Sequence, residues 1–188
     1  MTPHSRRKGI LRITGGSLKG RVISVPPGII RPAMDKIRES IFGILGDLSG
    51  VSFLDLFSGS GIMALEAASR GALFLEAVES DRQKFRTLIQ NTALSPVRIH
   101  CRLISAELFV KRSRETFDFI FCDPPFGYRY KDQLITLLGS SCIMNEKSIL
   151  MIHHPKKEKI TLLNKQNFIT LQDSRIYGNS VVDFFKKL

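Results

Sequence analysis

The segment Phe117-Asp-Phe-Ile-Phe-Cys-Asp-Pro-Pro-Phe126 places a carboxylate, two prolines and an aromatic ring at the end of an apolar run. Consecutive prolines remove two N–H donors and stiffen the backbone, leaving carbonyl oxygens beside Asp123 without strand partners. Two fixed oxygen acceptors suit an exocyclic –NH₂ group, since both hydrogens are taken and the nitrogen lone pair is aimed at an electrophile. Phe126 adds a ring on which a base can stack. Asp123, Pro124, Pro125 and Phe126 are therefore the candidate catalytic set.

A second cluster accompanies it. Phe53-Leu-Asp-Leu-Phe-Ser-Gly-Ser-Gly61 is an apolar strand running into a glycine turn that opens a helix. Gly59 and Gly61 allow close approach of backbone to a ligand, and the helix start supplies N–H donors. Glu79, twenty residues after Gly59, ends the next apolar run, where a carboxylate can accept from ribose hydroxyls. The pattern points to an adenosine-type ligand. Gly59-Ser-Gly-Ile-Met-Ala64 also satisfies the dinucleotide pattern, which keeps a nicotinamide enzyme among the alternatives. Asp55 weighs against it: a pyrophosphate has no use for a buried acid four residues before the first glycine. The amino-acid end of S-adenosylmethionine does.

Positioning these groups needs strands and helices in alternation. Two alternating runs, Leu11–Thr14 and Arg21–Val25, flank glycines and predict a hairpin. A helix follows over Ala33–Leu45, with Ile37, Ile41, Ile44 and Leu45 inward and Lys36, Arg38 and Glu39 turned away. Strands are predicted at Val51–Phe57, Leu73–Val78, Val97–Leu103, Phe117–Cys122 and Ser148–Ile152, with two more around Phe168–Leu171 and Val181–Phe185. Helices are predicted at Ile62–Ser69, Asp81–Leu94 (Phe85, Leu88 and Ile89 inward), Ala106–Lys111 and Asp132–Cys142. Repeated βα units imply an α/β fold with a mostly parallel, doubly wound sheet of seven strands, closed by an antiparallel strand.

Composition narrows the partners. The 188 residues carry 28 Lys+Arg against 17 Asp+Glu, a net charge of +11, with 43% hydrophobic residues. That excludes disordered, collagen-like and coiled-coil chains, and no apolar run approaches the ~20 residues of a membrane span. Most of the excess lies in residues 1–46: Arg6, Arg7, Lys8, Arg12, Lys19, Arg21, Arg31, Lys36 and Arg38 oppose only Asp35 and Glu39, giving +7. A basic hairpin-and-helix extension on a nearly balanced body, residues 47–188, suggests a polyanion such as nucleic acid. Cys101, Cys122 and Cys142 are widely spaced, which fits neither a disulfide framework nor a zinc site and suits a reducing cytoplasm. Cys122 is read as a core residue, pointing away from Asp123. His153-His154 lacks a third ligand, so no metal is expected.

Together these residues resemble the class I S-adenosylmethionine-dependent methyltransferases, and more narrowly the RsmD family of bacterial 16S rRNA guanine-N2 methyltransferases. The resemblance rests on Leu11-Arg-Ile-Thr-Gly-Gly, Lys19-Gly-Arg, Arg31-Pro-Ala-Met-Asp-Lys-Ile-Arg-Glu39 and Ile41-Phe42. It continues through Asp55-Leu-Phe-Ser-Gly-Ser-Gly61, Leu65-Glu-Ala-Ala-Ser-Arg-Gly71, Glu79, Asn91 and Asp123-Pro-Pro-Phe126. It implies a Rossmann-like methyltransferase domain over 47–188, with S-adenosylmethionine as cofactor and S-adenosylhomocysteine as product. Asp55, Gly59 and Gly61 would line the methionine end, Glu79 would bind the ribose, and Ser105 and Ala106 would lie near the adenine, with Phe57, Ser58, Ser60, Ser80 and Asp123 also among the cofactor-binding residues. Asp123 to Phe126 would hold the guanine. The implied partner is 16S rRNA in the small ribosomal subunit, met by the nine cations of residues 1–46, and a monomer is expected. The chain differs from the family at Ala33-Met34, where a hydroxyl pair is usual, near Ser105, and at His153, where an acid is common. The alternatives are an adenine-N6 methyltransferase acting on RNA or DNA, and a non-catalytic RNA-binding protein.

Overall fold

The computed structural model describes residues 11–26, 33–158, 160 and 168–188. Chain order runs β1 (Leu11–Arg12), β2 (Val22–Ile23), α1 (Ala33–Leu45), β3 (Ser52–Leu56), α2 (Ile62–Ser69), β4 (Phe74–Glu79) and α3 (Arg82–Thr92). It continues with β5 (Ile99–Leu103), α4 (Ala106–Arg112), β6 (Phe119–Cys122), α5 (Lys131–Ser140), β7 (Ile149–Pro155), β8 (Ile169–Tyr177) and β9 (Ser180–Lys187). The short hairpin pairs Leu11 with Ile23 and Arg12 with Val22.

Seven strands form the main sheet in the order β5-β4-β3-β6-β7-β9-β8. Strands β3 to β7 are parallel, whereas β9 runs antiparallel to both its neighbours. The antiparallel strand is therefore not the outermost one; β9 inserts between β7 and β8. Strands β7, β8 and β9 are also longer than their apolar stretches predict. Polar residues such as His153, His154 and Asp183 are carried into the ladders because they bond one another or their neighbours across strands.

Two apolar clusters cover the sheet faces. One gathers Phe53, Ala77, Phe121, Met151 and Val182 with α1, α2, α3 and the hairpin; the other gathers Leu54, Leu56, Ile120, Cys122 and Ile152 with α4 and α5. Cys122 is 1% exposed in the second cluster, and burial pushes its thiol well above the ordinary range, which suits a core residue.

The structure corrects the predicted face of α1. Ile37, Ile41 and Phe42 point inward, while Ile44 is exposed. Arg38, expected outside as an RNA contact, is only 1% exposed. Its guanidinium bonds Glu66 Oε2 at 3.2 Å, Asp35 Oδ1 at 3.1 Å and the Arg12 carbonyl at 2.6 Å. Glu66 sits wholly buried on the apolar helix α2, and a buried carboxylate requires opposite charge around it. Arg38 and Arg70 supply that charge, and Thr14 donates from both its backbone N–H and its hydroxyl. This cluster fastens the hairpin and α1 to α2. On α3, Leu88 is buried as predicted but Ile89 is exposed; Asn91 takes an inward place instead.

Among the described residues no helix is long and apolar enough to cross a membrane.

Candidate active site

The carboxyl ends of β3, β4 and β6 open on a cleft of about 730 Å³. Such ends collect loops on one edge of a parallel sheet, where ligands of doubly wound folds bind. Asp55, Phe57, Ser58, Gly59, Ser60, Glu79, Ser80, Ser105, Ala106, Asp123, Pro124, Pro125 and Phe126 all line it. Asp55 and Phe126, 71 positions apart in sequence, are thus brought to one cavity. Gly61 is not on the wall. It turns the chain into α2 at φ 78°, and a Cβ there would meet Leu88 Cδ1 at 2.5 Å.

The turn after β3 is built by reversing the backbone twice. Phe57 adopts φ 62°, a left-handed conformation uncommon outside glycine, and Gly59 follows at φ 55°. Hydrogen bonds fix this shape: Ser58 N–H donates to the Val78 carbonyl at 2.9 Å, and Gly61 N–H to the Ser58 carbonyl at 2.8 Å. Asn91 clasps the turn from outside. Its Nδ2 donates to the carbonyls of Ser60 and Ser24, at 2.8 and 2.9 Å, while its Oδ1 accepts from Ser24 N–H. One side chain on α3 therefore ties the glycine turn to the end of the hairpin.

Five carboxyl side chains line the cavity, and three of them, Asp55, Glu79 and Asp123, sit in different environments. Asp55 is 1% exposed, and burial raises its carboxyl to about 8. The Ala64 N–H at 3.3 Å opposes that rise, whereas the charges of Asp123 and Glu79 add to it. Glu79 accepts from Gly59 N–H at 2.9 Å through Oε2 and from Asp81 N–H at 2.8 Å through Oε1. It thereby shapes the glycine turn and the start of α3 together, with lone pairs remaining on each oxygen for hydroxyl donors. Asp123 keeps about a third of its side chain exposed and meets His153 Nδ1 at 2.7 Å.

The loop after β6 is held by its own turn and by Tyr128. Pro125 contributes its carbonyl to Gly127 and Tyr128 N–H groups, so that oxygen is engaged within its own turn. Tyr128 stands edge-on to Phe57 and bonds its hydroxyl to Glu107, a second residue after Ser105 on the far wall. Burial, followed by the Glu107 bond and charge, pushes its phenol well above the ordinary range, so Tyr128 remains a donor. Phe126 is 42% exposed at the mouth of the cleft. Ser105 caps α4 by accepting from Leu108 N–H at 3.3 Å. Sequence reasoning missed Glu107, Tyr128 and His153. The sheet register and the fold of the acceptor loop bring them in, and neither is written in a local motif.

Of the nine expected nucleic-acid cations, Arg12, Lys19, Arg21 and Lys36 are exposed and Arg38 is buried. Arg6, Arg7, Lys8 and Arg31 lie outside the described residues. Among the described residues, no group of three or more His, Cys, Asp or Glu gathers in a way that could hold a metal ion.

Known proteins match this arrangement. The family described as conserved hypothetical protein 95 matches residues 11–186. The Buchnera aphidicola ribosomal RNA small subunit methyltransferase D is 32% identical over 161 residues, covering 82% of this chain and 83% of that protein. An Escherichia coli structure solved as a candidate methyltransferase, yhhF, superposes with a TM-score of 0.84 at 28% identity, over 95% of this chain and 98% of that one. The magnesium protoporphyrin IX methyltransferase of Synechocystis, solved with S-adenosylmethionine bound, shares the fold at a TM-score of 0.64 and 15% identity, over 86% of each chain. The sheet is the Rossmann-like sheet of class I methyltransferases.

Proposed function

The chain belongs to the family described as conserved hypothetical protein 95, the RsmD family, and on that premise we propose that it methylates a guanine of 16S rRNA at N2, using S-adenosylmethionine. The observation that carries this reading is one shared cleft. Asp123, an acceptor for an exocyclic amine, faces the same cavity as Asp55 and Glu79.

The donor set fits S-adenosylmethionine. Asp55 is a buried carboxylate whose surroundings oppose its charge, so a cationic amino group is the ligand that would relieve it. Glu79 has acceptor capacity for the two ribose hydroxyls, and the α4 start with Ser105 and Ala106 borders the remaining wall. S-adenosylmethionine supplies an electrophilic methyl group on a sulfonium, and S-adenosylhomocysteine is left after transfer. The protein's share is chiefly alignment. Asp123 and the Pro124 carbonyl would take the two N2 hydrogens, drawing the nitrogen away from conjugation with the ring. Phe126 would stack the base, which must be splayed out to enter the cleft. After transfer, Asp123 is placed to receive the surplus N2 proton. Arg12, Lys19, Arg21 and Lys36 would carry rRNA phosphates near the hairpin and α1.

The test is to incubate the protein and labelled S-adenosylmethionine with small ribosomal subunits lacking base methylation, then digest and identify the labelled nucleoside. N2-methylguanosine from 16S rRNA is expected, and Asp123→Ala should abolish it while cofactor affinity stays within a few-fold. N6-methyladenosine would make adenine the substrate instead of guanine, and retained transfer by Asp123→Ala would overturn the acceptor role.

A further inference from the structure

Strands β6 and β7 are parallel, with Cys122 opposite Ile152. One residue further on, the register sets Asp123 beside His153. Side chains alternate along a strand, so Asp123 and His153 share the face of Phe121 and Met151, opposite the Cys122 face. The two groups meet at 2.7 Å, Nδ1 to Oδ1. They differ sharply in burial: the His153 side chain is 0% exposed and that of Asp123 is 32% exposed. The other imidazole nitrogen, Nε2, is buried with no hydrogen-bond partner among the described residues.

That unpartnered atom fixes the tautomer. An imidazolium would bury an Nε2–H donor with nothing to accept it, as would the tautomer protonated at Nε2, which also leaves two lone pairs facing each other at Nδ1. A neutral ring with its proton on Nδ1 satisfies the Asp123 contact and leaves only a bare lone pair inside. The ring is also wholly buried, on the sheet face it shares with Val182, its ladder partner on β9. Its centroid lies 6.5 Å from that of Phe126, so the stacking ring and the acceptor carboxylate share one rigid neighbour.

We propose that His153 is a positioning residue for methyl transfer: its buried Nδ1–H locks Oδ1 of Asp123 and presents Oδ2 to the substrate amine. The inference rests on Asp123 accepting an exocyclic amine, and applies whichever base carries it. As the new carbon–nitrogen bond forms, the carbon–sulfur pair departs on sulfur and the surplus amine proton passes to Oδ2. His153 keeps its own proton throughout, since Nε2 has no route to the cleft. Without that bond, the partly exposed carboxylate is free to rotate and its lone pairs lose their direction.

The experiment compares His153→Leu, which removes the donor, with His153→Asn, whose side-chain amide can place an N–H near the Nδ1 position. His153→Leu should lower kcat about 10- to 100-fold, the usual cost of losing a group that orients a reacting ligand. Its S-adenosylhomocysteine affinity and melting temperature should stay near wild type, and His153→Asn should recover most of the rate. Imidazole nitrogen shifts of the wild-type protein should show His153 neutral with the proton on Nδ1. A fully active His153→Leu, or a proton found on Nε2, would overturn the inference while guanine methylation stands. A wild-type protein that methylates no exocyclic amine in any nucleic acid would overturn both.

Discussion

Replacing Asp55 by Asn should make the cofactor-free protein more stable while weakening its hold on the cofactor. The carboxyl is pushed to about 8 in the fold, against 3.8 for an ordinary aspartate. Below about pH 4 it is protonated whether the chain is folded or not, and it costs nothing. As the pH rises the unfolded chain surrenders this proton first, so stability is lost progressively until about pH 8. At pH 7 the gap is roughly three pH units, or about 4 kcal/mol at 1.36 kcal/mol per unit. Asparagine never ionises, and its carbonyl can still accept from Ala64 N–H. For a chain of this size the gain should raise the melting temperature by roughly 10 °C at pH 7. At pH 5 the gain should shrink to about a third, since only ~1.2 units then separate the two states. With saturating S-adenosylhomocysteine that advantage should shrink by about half, because a buried ammonium without its carboxylate costs about 2 kcal/mol, roughly thirtyfold in Kd. Melting curves from pH 5 to 8, with and without S-adenosylhomocysteine, read both effects. A cofactor-free Asp55→Asn protein that melts at or below wild type at pH 7 would refute the argument that burial holds this carboxyl protonated.

Two further substitutions test other parts of the site. Arg38→Met strips the buried one of two cations from Glu66 and should cost about 3–5 kcal/mol, measured by denaturant unfolding. Weaker RNA binding with unchanged stability would instead return Arg38 to the RNA face. Glu79→Gln leaves one of two backbone N–H groups facing an amide donor, and should weaken S-adenosylhomocysteine binding about tenfold or more by calorimetry. Unchanged affinity would show that Glu79 neither shapes the turn nor meets the ligand.

The parts of this molecule that were legible in its sequence are those whose chemistry is local. A glycine turn after an apolar strand and a Pro-Pro break after another announce themselves within ten residues. Asp55, Glu79 and Asp123 could be found from such neighbours. Arg38 could not be oriented in the same way, because its burial depends on Glu66, 28 residues away on another helix. A glutamate inside the otherwise apolar Ile62–Ser69 was the available signal, since a buried acid requires a cation from somewhere. His153 was hidden for a different reason. Its role depends on which strand lies beside β6 and in what register, and apolar runs specify strands without specifying their neighbours. The same holds for β9, whose direction the sequence suggests but whose place between β7 and β8 it does not.

That place has a consequence for how the chain reaches its final form. Neither β7 nor β8 can pair with the other directly; both wait for a strand that comes later in sequence than either. During vectorial synthesis, β3 to β7 can zip into a parallel sheet while β7 still presents a bare edge, a template for wrong partners. Only when residues 180–187 arrive do His153 and His154 gain Val182 and Val181 across the ladder. Asp123 and His153 are thus brought together by strands made well before the one that completes the ladder beside them.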